Sequence, residues 1–540
     1  MKKTLLFAGI ATGAFLLTAC GQMEKNSATE PPVKAENKET KQSATQIANQ
    51  ANRVIVDLVA KESRQEMKPG ITLPVWTYGG KVPGQEIRVK QGQEVVVNLK
   101  NELSENVTIH WHGYPVPFEM DGVPGMSQNS IKPGESFTYK FTATVPGTYW
   151  YHSHKNSAEQ VDRGLYGAFI VEKKDELKTD KDYTLILDEW ETAAANQKSS
   201  KQGMDHSNMN IDSMSGQNNS NGNNQWMHGM DHSKMGTMNM SDNMKNSKGQ
   251  SMHMMDHMAS YDLFTVNGKS SSFIEPLVAK TGEVVRLRFI NAGYQLRLMD
   301  FGNVPYRIVT TDGQDIQQPL EVKGKLLPIG PGERYDVVLT IPSSSFEILD
   351  CTKRPAAKDV KIMVQNQDNK SVAQTGKVTT ELLDITTYGK ATAKTERRKY
   401  DKEFKMVFED VMDHSSDMGM KYTINGKSFP DTEKLIVKKG EYVKVTYENK
   451  GQANHPMHLH GHFVRVLSKN GKPVSGSPLI KDTLNVKPGE TYEVEFVADN
   501  PGNWMFHCHD LHHASTGMMT TVEYEGYKNP VKVDRNDLSE

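Results

Sequence analysis

Over much of the chain, apolar and polar residues alternate one for one, as in Ser136-Phe137-Thr138-Tyr139-Lys140-Phe141 and Thr491-Tyr492-Glu493-Val494-Glu495-Phe496. Successive side chains of a β-strand point to opposite faces, so this pattern predicts strands with one face buried. Pro-Gly pairs separate the runs at short spacing, which is the rhythm of antiparallel strands in a sandwich or barrel. Helical periodicity is sparse, so the fold class expected is all-β.

The strands belong to a threefold repeat. Val89-Lys90-Gln91-Gly92, Ala279-Lys280-Thr281-Gly282 and Val437-Lys438-Lys439-Gly440 each lead, nine residues after the glycine, to an asparagine: Asn101, Asn291 and Asn449. A second block recurs as Lys132-Pro133-Gly134-Glu135, Gly330-Pro331-Gly332-Glu333 and Lys487-Pro488-Gly489-Glu490. The first and third copies stay in step at an offset of 355 residues through Pro146-Gly147 and Pro501-Gly502 to His-x-His at 152–154 and 507–509. Copies this long imply duplicated domains rather than a short-period solenoid. Three consecutive β-sandwich domains are expected at 51–190, 261–395 and 396–540, with a low-complexity insert at 191–260.

The N-terminus reads as an address. Lys2 and Lys3 precede an apolar run from Leu5 to Leu17, too short to span a bilayer permanently and matching a secretory signal. Its end, Leu17-Thr18-Ala19-Cys20, resembles a bacterial lipobox. Residues 1–20 are therefore expected to be a lipoprotein signal peptide, with the lipid on Cys20. Residues 21–50 carry almost nothing large and apolar, so they should be a flexible tether. The expected location is exported, lipid-anchored to the outer face of a bacterial membrane.

Charge and cysteine count narrow the function. Lys and Arg total 64 against 66 for Asp and Glu, so the overall charge suggests no nucleic-acid partner. Of the three cysteines, lipidation of Cys20 leaves Cys351 and Cys508, which excludes a disulfide scaffold. Cys351 reads as an idle or buried thiol.

Histidines survive unequally in the repeats. The first copy has His110-Trp111-His112 and His152-Ser153-His154; the third has His455-Pro456-Met457-His458-Leu459-His460 and His507-Cys508-His509, with His513 and Met518 beyond; the middle copy has none. Residues i and i+2 of a strand share a face about 7 Å apart, so each His-x-His pair can aim two imidazoles at one cluster. Eight imidazoles suffice for three metal ions with positions left open. Cys508 must point away from its histidine neighbours, toward a separate metal. A thiolate with two imidazoles and a weak axial thioether is the blue-copper set, for which His455, His513 and Met518 are the candidates. A closed structural zinc site would not use the other eight histidines.

These motifs resemble those of the multicopper oxidases, the laccase-like family, over about residues 51–530. The resemblance implies three consecutive cupredoxin-like Greek-key sandwiches and four copper ions per chain. His455, Cys508, His513 and Met518 would bind the type 1 copper, and His110 and His458 the type 2 copper. His112, His152, His154, His460, His507 and His509 would bind the type 3 pair. A reduced donor would give up electrons singly at the type 1 site, Cys508 would pass them on, and dioxygen would be reduced to water. Asp121 matches a carboxylate that the family uses near the cluster for proton relay; a turn aspartate before Gly122 is the plainer reading. A second family carboxylate usually follows the last type 1 histidine, where this chain has Ala514. His462 and His512 occupy no ligand position in the family and read as neighbours of ligands or as exposed.

The donor is suggested by the insert, which holds 13 of the 28 methionines and five histidines. Met-Asp-His recurs at Met204–His206, Met230–His232 and Met255–His257, and again at Met412–His414, ahead of Met418 and Met420. Thioethers select Cu(I) and imidazole binds copper, so these segments are expected to gather extra, labile copper for oxidation, in copper tolerance or homeostasis. Inert linker is the alternative. Cuprous oxidases of the family place an Asp and a Met shortly before the first type 1 histidine, where this chain has Gly451 and Ala453. A laccase-like oxidase of phenols, or of Fe(II) or Mn(II), is the second enzymatic reading. A surface copper-sequestering lipoprotein is the reading of another class.

Overall fold

The computed structural model describes residues 48–50, 52–192, 261–373, 379–391, 398–413 and 419–538. The expected leader with Cys20, nearly all of the tether and nearly all of the insert lie outside the described residues. Among the described residues, no helix is long and apolar enough to cross a membrane.

Six sheets form three successive sandwiches. The first pairs a sheet of Ala48–Gln50, Arg53–Lys68, Ile71–Tyr78, Glu94–Asn101 and Ser136–Thr142 with one of Ile87–Lys90, His110–His112, Gly147–His152 and Tyr166–Glu172. Six- and five-stranded sheets make the second sandwich, and seven- and five-stranded sheets the third. The alternating runs behave as their pattern requires: within Ser136–Thr142, Tyr139 and Phe141 are buried while Thr138 and Lys140 are exposed. The first core closes on Val56, Leu58, Val97, Trp111, Tyr139 and Phe169. Those of the second and third sandwiches run together through residues such as Phe289, Ile308, Val445 and Phe506.

Each sandwich opens with a long strand running parallel to the one that ends on the repeated asparagine: Arg53–Lys68 beside Glu94–Asn101, Lys181–Trp190 beside Val284–Asn291, and Lys402–Met412 beside Tyr442–Asn449. The asparagines then do the same work three times. Asn101 Nδ2 donates to the carbonyls of Glu105 (2.7 Å) and Ile131 (2.8 Å). Asn291 donates to Gln295 and Ile329 (2.9 Å each), and Asn449 to Ala453 and Val486 (2.8 Å each). Each amide pins the loop that follows its strand to a second segment of the same sandwich, and the same tie recurs in all three copies.

One expected boundary is corrected. Lys181–Trp190, assigned from sequence to the first domain, lies in the second sandwich, because it fills there the place of Arg53–Lys68 in the first. It also pairs antiparallel with Leu263–Val266, from Leu187↔Val266 to Trp190↔Leu263. The insert therefore joins two strands that pair with each other. Its neck is closed by Thr192, whose N–H and O–H donate to the Asp262 carboxylate at 2.8 and 2.5 Å.

The histidine-free middle sandwich grips the third one. Arg334 donates through both terminal nitrogens to Asp482 (2.7 and 2.5 Å), and Asp312 accepts from the Thr483 N–H (3.1 Å) and pairs with Lys481 (3.1 Å). All of these side chains are fully buried. Burial alone would raise the Asp482 carboxyl, but the Arg334 guanidinium beside it holds it well below the usual carboxylate range. Removing one member of such a pair leaves an uncompensated buried charge. Arg334→Ala should therefore cost about 3–5 kcal/mol in denaturant unfolding; an unchanged midpoint would show that this pair does not hold the sandwiches together.

Candidate metal centre

The strand pairing sets the site. His110–His112 runs antiparallel to Gly147–His152, with His110 opposite His152. In the third sandwich His455–Leu459 runs antiparallel to Asn503–Cys508, with His458 opposite His507 and Met457 opposite Cys508. All ten repeat histidines are buried. Three groups bring donor atoms within 4.8 Å of one another: His112, His152 and His509; His154, His460 and His507; and His110, His112 and His458. Each draws on both the first and the third sandwich. His110 stacks on His460 at 3.9 Å between centroids, and His112 on His458 at 3.8 Å.

Hydrogen bonds define which ring nitrogen is available. The Nδ1 atoms of His110, His152, His458 and His507 face the carbonyl oxygens of Asp121, Ser153, Asp482 and Cys508 at 2.8 to 3.1 Å, and His460 Nδ1 faces Asp121 Oδ2 at 3.0 Å. Oxygen acceptors place the proton on Nδ1 and leave the lone pair on Nε2. The Nε2 atoms of His110, His152 and His458 are buried with no hydrogen-bond partner among the described residues, as are His112 Nδ1 and both nitrogens of His509. The Nε2 atoms of His460 and His507 face each other at 3.0 Å, lone pair toward lone pair. Burial, reinforced by neighbouring imidazoles, lowers His112, His152, His460, His507 and His509 well below the ordinary histidine value. Neutral rings with converging lone pairs are a donor set for cations, and all-imidazole ligation suits copper.

Cys508 faces the other way. Its Sγ lies 3.8 Å from His455 Nδ1 and 3.6 Å from His513 Nδ1. Met518 is buried in the same core cluster, and its carbonyl accepts from the Cys508 N–H at 3.0 Å. The outer nitrogens are held by carboxylates: His455 Nε2 by Asp410 (3.0 Å) and His513 Nε2 by Asp510 (3.4 Å). Both Nδ1 lone pairs are thereby turned toward the sulfur. Burial, with Asp510 and Asp410 nearby, pushes the thiol well above its ordinary value, so a bound cation is what would hold it as thiolate. The alternation of one strand thus sends His507 and His509 to the imidazole cluster and Cys508 to a second centre.

The comparisons agree with this arrangement. Profiles of the multicopper oxidase family match residues 60–176 and 401–526, the two stretches that carry the histidine motifs. The chain belongs to the multicopper oxidases. It is 27% identical to multicopper oxidase MmcO of Mycobacterium tuberculosis, over 97% of this chain and 96% of that protein. It is 25% identical to a copper resistance protein A homologue of Pseudomonas syringae pv. tomato, over 83% of this chain and 89% of the relative. A crystal structure of a multicopper oxidase from Pseudomonas thermotolerans superposes with a TM-score of 0.62 at 27% identity, covering 88% of this chain and all of that one. The protein is an oxidoreductase with copper as its cofactor, of a family that couples donor oxidation to reduction of dioxygen.

Around the oxidase's centres stand Asp121, expected from the sequence, and further residues that the motifs did not reveal. Asp121 is buried, with its carboxylate between His110 Nδ1 (3.2 Å) and His460 Nδ1 (3.0 Å). Thr483 Oγ1 lies 3.0 Å from His112 Nε2 and 3.1 Å from His458 Nδ1, and is itself held by Asp482 at 2.8 Å. Trp150 packs on His152, His112 and His509 at 4.4 to 5.4 Å, walling the cluster from solvent. Gly332 of the middle sandwich comes so close that a Cβ there would lie 2.9 Å from His509 Cγ and 3.1 Å from His112 Cε1. Asp410 occupies the space beside Gly451, where a Cβ would meet its Oδ1 at 2.3 Å. Its other oxygen accepts from the N–H groups of Gln452 and Ala453. The carboxylate expected on the loop before His455 thus arrives from a neighbouring strand. No sequence signal marks Asp410, since its partner lies 45 residues away.

The remaining expected residues fall into two sets. His462 is hydrogen-bonded to the His460 carbonyl (3.0 Å) and the Tyr524 hydroxyl (2.6 Å), outside the donor groups. Cys351 is a half-buried free thiol, pushed up to about 11 by burial. Met412 and Met420 face each other across the hairpin Lys402–Met412 and Met420–Ile424. Among the accessory residues, Met204, His206, Met230, His232, Met255, His257, His414 and Met418 lie outside the described residues.

Two substitutions separate the centres. Cys508→Ser should fold but lose the strong visible absorption and all donor oxidation. Asp121→Asn should keep the absorption while oxygen consumption falls about 10- to 100-fold. A coloured, active Cys508→Ser protein would contradict the placement of Cys508.

Proposed function

We propose that the oxidase binds four coppers and oxidises Cu(I) as its physiological donor, in copper tolerance. The type 1 ligands are His455, Cys508, His513 and Met518. His110 and His458 hold the type 2 ion, and His112, His152 and His509, with His154, His460 and His507, hold the type 3 pair. When bound, these ions supply one-electron acceptance at the type 1 site and four-electron reduction of dioxygen at the cluster. Asp121, touching ligands from two sandwiches, orients them and is the candidate for proton relay beside the cluster.

One observation carries the donor reading. The hairpin that ends in the Met412–Met420 pair also touches each type 1 imidazole: Asp410 bonds His455, and Tyr422 stacks on His513 at 3.8 Å. Met412 is 69% exposed, so a thioether stands in solvent two residues from Asp410. Thioethers prefer Cu(I), and the carboxylates favour a cationic donor over a neutral one. His513 itself keeps only 6% exposure, with Tyr422 on its face and Asp510 at its edge. A metal ion reaches such an edge more readily than a phenol ring does. Resemblance to a copper resistance protein is in keeping with this reading. Sequestration alone would not need a complete oxygen-reducing cluster.

Deleting 204–258 together with Met412, Met418 and Met420→Leu should lower the ratio of Cu(I) to phenol kcat/KM by about tenfold, measured in chelator-buffered copper. An unchanged ratio would refute the copper-gathering role and favour the phenol-oxidase reading. We propose too that the chain is exported and anchored through a lipid on Cys20, on the strength of Leu17-Thr18-Ala19-Cys20. Cys20→Ala should abolish incorporation of labelled fatty acid and release the enzyme from membranes; labelling that persists would rule out that anchor.

A further inference from the structure

The chain that leads into strand Leu263–Val266 begins, at Tyr261, beside helix Leu511–Ser515. Tyr261, the first described residue after the insert, donates its O–H to the Asp162 carboxylate at 3.0 and 3.1 Å. Its phenol oxygen lies 3.0 Å from His512 Nε2, which is itself 3.8 Å from Asp162 Oδ2. Three sandwiches meet at this point. Asp162 closes helix Ser157–Asp162 of the first, Tyr261 leads into strand Leu263–Val266 of the second, and His512 belongs to helix Leu511–Ser515 of the third. Tyr294 packs edge-on against the His512 ring at 4.9 Å. The side chains of His512 and Asp162 keep 20% and 30% exposure, more than the 6% left to His513.

We propose that His512 and Asp162 form the docking site at which a cuprous ion is oxidised, its electron passing through Asp510 and His513 to the type 1 centre. The proposal rests on the Cu(I) reading above and names the place where the donor is met. An imidazole nitrogen and a carboxylate oxygen 3.8 Å apart can both ligate one ion that displaces the Tyr261 hydroxyl bridging them. The donor types matter as much as the spacing. Thioethers hold copper as Cu(I), whereas imidazole and carboxylate favour Cu(II). An ion moved from methionines onto this pair therefore becomes a stronger reductant at the point of transfer.

The route onward is short. Asp510 Oδ1 accepts from the His512 N–H at 3.2 Å, and its Oδ2 lies 3.4 Å from His513 Nε2. His512 and His513 are also adjacent in the chain. On the supply side, the last Met-Asp-His of the insert ends at His257, four residues before Tyr261 in the chain. Each docked Cu(I) gives up one electron and leaves as Cu(II). Four such ions supply the electrons with which the oxidase reduces one dioxygen, taking up four protons, to two waters.

The test uses the full-chain holoenzyme and two variants in different sandwiches, His512→Ala and Asp162→Asn. Visible absorption confirms that the type 1 centre is intact in each. The KM for Cu(I) should rise about tenfold in both, with the ratio of Cu(I) to phenol kcat/KM falling in step. Crystals soaked in Ag(I), a redox-inert stand-in for Cu(I), should show a bound ion between His512 Nε2 and Asp162 in the wild type and in neither variant. Wild-type turnover of Cu(I) with an unchanged KM in both variants, or silver absent from the pair, overturns this site and leaves the donor reading standing. Failure of the wild type to oxidise Cu(I) overturns the donor reading and the site with it.

Discussion

Imidazoles from the first and third sandwiches confront one another in a buried space, and the rest of the architecture answers to that confrontation. His110, His112, His152, His458 and His509 carry buried ring nitrogens with no hydrogen-bond partner among the described residues. Each such group costs about 1–3 kcal/mol; together they rival the roughly 5–15 kcal/mol net stability of a typical protein. Lone pairs turned toward each other, as in His460 and His507, add repulsion. Metal ligation would convert this cost into binding energy. The neutral rings are already in the protonation state that ligation requires.

Such an interface needs a brace that is not itself a ligand, and the middle sandwich supplies it. Duplication gave all three copies the asparagine that ties off the strand end, and all three keep it in the same role. The Pro-Gly-Glu turn diverged. In the outer copies Gly134 and Gly489 face open space, whereas Gly332 sits against His509 and His112. From the same turn Arg334 reaches Asp482, whose neighbour Thr483 touches His112 and His458. The copy that lost its histidines kept its scaffold and became the wall and clamp of the cluster. Its buried charges contribute chiefly as fixed points of register, since exchanging a buried pair for apolar residues can leave stability unchanged.

The sequence carried the local half of this design. Period-two alternation, repeated turns and the His-x-His pairs each depend on residues a few positions apart, and they led to the sandwiches and to the donor groups at His110–His112, His152–His154, His458–His460 and His507–His509. What it hid was long-range. Asp410, Asp482 and Thr483 reach their histidines only through the pairing of strands distant in sequence. Gly451 looked like a missing carboxylate because the substitute comes from the next strand. Lys181–Trp190 was read with the first copy although the charged run 173–182, which bridges to it, marks the turn to a new sheet. Asp510 was visible in His507-Cys508-His509-Asp510 but uninformative, because its role depends on the short helix that folds His513 back toward Cys508.

The pair of outer carboxylates also bears on what the enzyme can oxidise. An anionic partner on the far nitrogen raises the basicity of a ligating imidazole, and a more basic ligand stabilises Cu(II) over Cu(I). With Asp410 on His455 and Asp510 on His513, both type 1 imidazoles are biased in this way. Such a centre accepts electrons less readily from weak organic reductants and suits a strongly reducing donor. The same two carboxylates make the approach electronegative, which draws cations. On the proposed Cu(I) reading, selectivity for a reduced metal ion needs no separate recognition domain: the residues that orient the type 1 ligands also set which donors can reach the centre and which can reduce it.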